Sequence, residues 1–413
     1  MKLISRNILF ILACGILFTF ASCKKKGCTD PTATNYSSEA EKDDGSCIEA
    51  TSDPLASQKQ QVKETYASLA FAAYSDSYNQ ALLLQNAINT FVANPDQMNF
   101  DLAKQAWLDA REPYGQTEIF RFIEGPIDNS SDGPEGLINA WPMDEAYVDY
   151  VDGSATSGII NNLSQFPNIT TSAIVVANEN GGETNVSVGY HAIEFLLWGQ
   201  DLSASSAGQR PYTDFVVGGT ADNQTRRGEY LIVCADVLIQ SLEQVKDAWD
   251  PAISNNYRTE WLAMDNYIAL RKMFNSIRVM AGFELSGERM YTAYDNMDQE
   301  DEHSCFSDNT HRDIALNSLG IENLFLGQYI DINGTEISGF SLSDLVELEN
   351  PTSNAEMIQQ LDDTKAKIDL MYTPFDQAIV LPAERPKVLD AVNALINEET
   401  IILSAASSFD ISF

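Results

Sequence analysis

"GYHAIEFLLWGQD", residues 189–201, decides how this chain reads. Wound as a helix at about 100° per residue, it sets His191, Glu194, Phe195 and Trp198 on one face. Ala192, Ile193, Leu196 and Leu197 cover the rest. A helix that is apolar on every side belongs in a core. An imidazole and a carboxylate in that setting are costly unless something pairs with them or compensates their charge. The same thirteen residues therefore announce a buried helix and raise a functional question.

The sequence around this stretch has the same helical character. Helical spacing runs from Gln58 to Val92, and from about Phe100 to Phe122 with Pro113 as a kink. Short helices are expected in "WPMDEAYVDYV" and "SGIINNLSQF", and a long one from Thr225 to Trp249. Further helices are expected at 261–283, 286–297, 310–326, 354–371 and 383–406. Strand-like alternation is scarce, and only "YIDINGTEISGF" reads as a hairpin. The fold class is all-α: two helical bundles, residues 53–205 and 206–413, with "DLSASSAGQRPYTDFVVGGTAD" as the hinge.

The amino-terminal residues are not part of that fold. Lys2, Arg6 and the apolar run Ile8–Phe20 have the form of a secretory signal over residues 1–22. "FASC" places Cys23 at the cut, as in a bacterial lipoprotein signal, which makes Cys23 the expected lipidation site. The mature chain is then tethered to a membrane of the cell envelope, on its periplasmic face or at the cell surface. No other apolar run approaches the ~20 residues that span a bilayer. In an oxidising compartment, Cys28 and Cys47, which flank a polar turn-rich segment, are expected to close a disulfide loop within a tether over residues 23–52. Cys234 and Cys305 remain, and their pairing is open. A formal net charge of −35 argues against nucleic acid as a partner and is compatible with attracting cations.

Only three histidines occur, His191, His303 and His311. His191 and Glu194, at i and i+3, can grip one cation together, and that donor set suits iron, zinc or copper better than magnesium. The plain alternative is a hydrogen bond that only fastens two helices. A second window, "WLDAREPYGQTEIFRFIEGPID" at 107–128, holds Glu118, a possible ligand, and Arg121, which would orient it or hold an anion. A third, "GERMYTAYDNMDQEDEHSCFSDNTHRD" at 287–313, holds Glu288, Arg289 and a Glu300-x-x-His303 spacing. Its loop-forming residues argue against a di-iron helix and for a cap, Ser307 or Asp308, on the next helix. There is no G-x-S-x-G, P-loop or H-E-x-x-H.

Taken together, the three windows resemble the imelysin family. Gly189, His191 and Glu194 match its Gly-x-His-x-x-Glu signature, and "AREPYGQTEIFRFIEGPID" followed by "WPMDEAYVDYV" and the third window match in order. The Cys28–Cys47 segment is extra to the family. The resemblance implies two helical bundles with the histidine helix at a cleft, in a bacterial envelope protein tied to iron uptake. The expected ligands are then His191, Glu194 and Glu118. Arg121, Asp144, Glu288, Arg289 and His303 are expected to line the cleft. The expected guest is iron or zinc, as an ion or an iron chelate, with an envelope iron-transport partner. Some members are classed as metallopeptidases, so a zinc-dependent peptidase is the alternative. A non-catalytic cleft for a peptide, haem or glycan is a further one.

Overall fold

The computed structural model describes residues 24–33, 35–47 and 53–413. The signal segment and Cys23 lie outside the described residues. The chain divides into two compact units, Met1–Ala56 and Ser57–Phe413. In the first, Lys26–Gly27 pairs in parallel with Lys42–Asp43, and Cys28 is disulfide-bonded to Cys47, as the sequence led us to expect. Asp30, Asp43 and Asp44 each turn a side-chain oxygen onto a nearby backbone N–H, the habit of aspartates in tight turns.

The second unit is mostly helical, and its named strands form one hairpin, in which Gln328–Ile330 pairs antiparallel with Glu336–Ser338. That hairpin falls inside "YIDINGTEISGF". Its register is fixed from beneath by the buried Asp76 of the first long helix, Ala56–Ala93, which accepts from Tyr329 Oη and Ile332 N. The helix Gln97–Thr117 carries Pro113 inside it and passes directly into a 3₁₀ turn, Glu118–Phe120. It packs on Gly189–Trp198 and on Thr310–Leu326, while Gly189–Trp198 also packs on Gln224–Trp249. Helices from before and after residue 205 therefore share one core. Cys234 and Cys305 are free, buried thiols, which closes the question of their pairing.

The helix Gly189–Trp198 is buried at all ten positions, as its composition requires. Gly189 opens it at φ +90°, and a Cβ there would stand 2.7 Å from the Ile138 carbonyl oxygen, so only glycine fits.

Two local expectations need correction. Instead of a break between Phe283 and Ser286, the chain winds without interruption from Asn266 to Asn296, with Met280–Tyr291 as a π-helix. The cap of Thr310–Leu326 is Asn309, not Ser307 or Asp308. Ser307 is occupied elsewhere.

Candidate functional site

His191 and Glu194 are fully enclosed, and His191 Nδ1 lies 2.9 Å from Glu194 Oε2. The other carboxyl oxygen, Oε1, accepts from Ser307 N at 2.9 Å and Ser307 Oγ at 2.6 Å. This is where Ser307 is used: it reaches back from the loop before Thr310 to the helix of the opening stretch. Burial raises the Glu194 carboxyl to about 8 despite both Ser307 hydrogen bonds. Burial, reinforced by Arg111, lowers the His191 imidazole to about 3. Burial thus favours an uncharged acid beside an uncharged imidazole. His191 Nε2 is buried with no hydrogen-bond partner among the described residues.

Against this couple stands a second histidine. The His303 ring lies 4.7 Å from the His191 ring at 75°. His303 Nδ1 is 2.9 Å from Asp313 Oδ2, which also accepts from Ser304 Oγ at 2.5 Å. Asp313 Oδ1 faces Arg111 at 3.1 Å. Arg111 Nη1 donates to Asn139 Oδ1 at 2.6 Å, and Asn139 Nδ2 returns to His303 Nε2 at 3.4 Å. Burial opposes charge on Asp313, yet Arg111 and the bonds from His303 and Ser304 hold its carboxyl well below the usual range. Burial and then Arg289 lower the His303 imidazole to about 3. The ring that closes is Arg111⁺, Asp313⁻, neutral His303 and Asn139. This assigns the His303 proton to Nδ1, because Asp313 can only accept. Arg111 is also sandwiched among aromatic rings, 5.0 Å from that of Tyr190 and 5.4 Å from that of Tyr114.

Glu118 belongs to a third group. Its Oε2 receives Arg289 Nη2 at 2.5 Å and Arg121 Nη1 at 3.0 Å, and its Oε1 has no partner. Glu284 Oε1 accepts from the same two arginines, at 2.9 Å and 3.3 Å. Arg289 Nη1 is fixed by Asn317 Oδ1 at 2.6 Å. Burial disfavours the charge on Glu118, but Arg289 and Arg121 outweigh it and hold the carboxyl far below its ordinary value.

This third group faces a cleft of about 410 Å³. Arg121, Arg289, Glu284 and His303 stand in its walls, with Trp141 beside His303 at 5.7 Å between rings. Glu179, Glu183 and Glu288 are exposed and border it. Four of the five residues expected to line a cleft, Arg121, Glu288, Arg289 and His303, do so together. The fifth, Asp144, is exposed and caps the short helix Glu145–Val148 through Ala146 N. His191 and Glu194 sit behind the His303 ring and are not among the cleft's lining residues.

The expected ligands are not assembled as a ligand set. Glu118 is clamped by arginines, and Glu194 is taken up by His191 Nδ1 and Ser307. Among the described residues no group of three or more His, Cys, Asp or Glu is placed to hold a metal ion. A zinc centre needs at least three protein ligands, so the zinc and zinc-peptidase expectations find no donor set here. Sequence reading missed Arg111, Asn139, Asp313 and Ser307. Arg111 and Asp313 sit inside the windows quoted for other residues, in "DAREPYG" and "THRD".

With the geometry described, the class is clear: an all-helical protein built around a buried Gly-x-His-x-x-Glu helix. Residues 70–402 match the imelysin family, peptidase family M75, and the chain belongs to that family. An iron-regulated protein A from Synechococcus elongatus is 23% identical over 323 residues, 76% of each chain. The fold also matches the crystal structure of a protein assigned as an iron-regulated protein A precursor from Parabacteroides distasonis. That match has a TM-score of 0.67 at 19% identity and covers 87% of this chain and 97% of that one. At this identity, the second likeness is one of fold.

Proposed function

We propose that this chain is an envelope protein of iron handling that captures iron in the 410 Å³ cleft, as the ion in its water shell or as a small cationic complex. The name of the Synechococcus relative supports the link to iron. The chemistry of the cleft supports the form in which iron is taken. Five glutamates, Glu135, Glu179, Glu183, Glu284 and Glu288, line it against two arginines. Both arginines are already committed to Glu118 and Glu284. The surplus of acid draws cations and repels polyanionic chelates. No three ligands stand ready to strip an ion of its water, so carboxylates that hold the ion through that water are the fitting mode. Attachment through lipid on Cys23 and delivery to an envelope transport partner complete this reading.

The single observation that carries it is the grouping of an acid-rich wall with His303 and Trp141 in one cleft. Trp141 supplies the test. Ferrous ion added without oxygen is expected to quench tryptophan fluorescence saturably, and Trp141→Phe is expected to lose most of that signal. The exposed triple variant Glu179→Gln/Glu183→Gln/Glu288→Gln is expected to weaken binding about tenfold, in line with roughly 0.5 kcal/mol per rim charge removed. Ferric citrate is expected to bind less well than ferrous ion. Saturable quenching that is identical in the triple variant would remove the cleft from consideration.

A further inference from the structure

Lys24, Lys25 and Lys26 are the only three consecutive basic residues in a sequence that sets 25 Lys and Arg against 60 Asp and Glu. The amino-terminal unit folds them into a defined face. Glu41 N and Lys42 N both donate to Lys25 O, at 2.8 Å and 3.2 Å, and the parallel pairing sets Lys26 in register with Lys42. The Cys28–Cys47 disulfide closes the loop just beyond this pair. Residues in register send their side chains to one side of a sheet, so two lysines stand next to each other there. Lys24 comes two residues before Lys26, the spacing that returns to the same side of an extended chain. Lys25, between them, pairs with Glu39. Lys24, Lys26 and Lys42 are all exposed, and none of them forms an ion pair among the described residues. Asp44, two residues past Lys42, turns its Oδ1 to Ser46 N at 3.0 Å. Even with Asp44 counted against the three lysines, positive charge is in excess.

Like charges side by side on paired strands cost stability unless something of opposite sign meets them. We propose that Lys24, Lys26 and Lys42 form a basic face that binds the anionic phospholipid headgroups of a bilayer surface. The face lies in sequence directly after Cys23, the expected lipidation site, where the chain is nearest its membrane. An acyl chain with a basic patch beside it is held more firmly than by the acyl chain alone. Acid elsewhere in the chain repels such a surface, but charges beyond about 8 Å are largely screened at physiological ionic strength. A face lying against headgroups therefore keeps its attraction, worth about fivefold in binding for each lysine. The role of the disulfide-closed unit is then to present these lysines as a fixed group. This proposal draws on the lipid attachment within the preceding reading and not on iron capture.

The test places the full chain, made with its own signal, on vesicles of phosphatidylcholine alone or with about one-third phosphatidylglycerol. Flotation reports attachment, and acetylation of lysines read by peptide mass spectrometry reports the face. On the anionic vesicles Lys24, Lys26 and Lys42 are expected to react about fivefold more slowly than on the neutral ones. Lys365, exposed on the second unit, should react equally on both. NaCl at about 1 M, where the screening length falls to about 3 Å, should erase the difference. In an equal mixture of the two vesicles, the wild type should favour the anionic ones by roughly tenfold or more, and Lys24→Gln/Lys26→Gln/Lys42→Gln should show no preference. A chain that floats with both vesicles but is labelled equally on them would overturn the proposal and leave the lipid anchor standing. A chain that floats with neither would overturn both. Flotation with anionic vesicles alone, with the three lysines protected, would support the face and remove the anchor. Protection reproduced by soluble glycerol phosphate without vesicles would overturn the bilayer as the occupant.

Discussion

His191 and His303 come from helix and loop segments far apart in the chain, yet their rings meet nearly at right angles with 4.7 Å between centres. Each is tied by its Nδ1 to a different acid, Glu194 or Asp313, at 2.9 Å. The two acids are pushed toward opposite states. Arg111 beside Asp313 favours its charged form, whereas burial favours a proton on Glu194, whose oxygens meet Ser307 and His191. The arrangement sets an ion pair and an uncharged pair on either side of one ring contact.

Replacing Arg111 by Met should be severe. It would leave Asp313 buried and charged with no counterion, a loss on the order of 3–5 kcal/mol. Adding Asp313→Asn should recover much of it, because the charge that needed Arg111 is then gone. Urea unfolding of both single variants and the double variant measures the coupling, and strictly additive losses would contradict this account.

Ser307→Ala removes the 2.6 Å hydroxyl bond to Glu194 but keeps the backbone N–H. The expected cost is about 1–3 kcal/mol, since a buried acceptor loses one of its partners. Glu194→Gln should cost less than Glu194→Ala, because the amide retains an oxygen for Ser307. The order of the three denaturant midpoints is the check.

Stability should respond to pH in two opposed windows. The histidines have folded values near 3, below their ordinary range, so their neutral forms add stability that is present above about 6.5 and lost as pH falls toward 3. Glu194 has a folded value near 8, so its acid form adds stability that is complete below about 4.5 and lost as pH rises toward 8. From pH 6.5 to 8, Tm should therefore fall with rising pH. Glu194→Gln should make that slope shallower without abolishing it, because burial also raises Glu398 to about 8. Melting curves at half-unit pH steps read both slopes.

Gly189→Ala forces a side chain into φ +90° and against the Ile138 carbonyl. A loss of roughly 1–3 kcal/mol is expected. Gly287→Ala, where a Cβ meets nothing within 4 Å, should be nearly silent in the same melt.

Much of this was legible beforehand because helical periodicity is local. "GYHAIEFLLW" reads as a buried helix from ten consecutive residues, and the hairpin in "YIDINGTEISGF" from twelve. Arg121, Glu288, Arg289 and His303, which the resemblance assigns to a cleft, stand in the walls of one cavity. What sequence could not show was partner choice. Whether Glu194 meets a metal, an arginine or a serine depends on Ser307, which local rules assigned to a cap. Glu118 looked like a free ligand because Arg289, the residue that neutralises it, is remote in sequence. The expectation that a cation compensates the buried His191–Glu194 couple stands beside a second way to meet the same requirement, a proton and the Ser307 hydrogen bonds.

The π-helical run Met280–Tyr291 has a corollary for length variation. Its i→i+5 winding brings Glu284 within 2.9 Å of Arg289 while Arg289 holds Glu118. Excising one residue between them would turn the i→i+5 spacing into the i→i+4 spacing of an α-helix, which keeps the two side chains on one face. Arg289 could then still reach Glu284 and Glu118, and Arg121 would hold Glu118 in any case. A relative one residue shorter at this point can therefore keep the same interior charge pairs, so a single-residue gap in an alignment would mark a change of winding and not a rebuilt core.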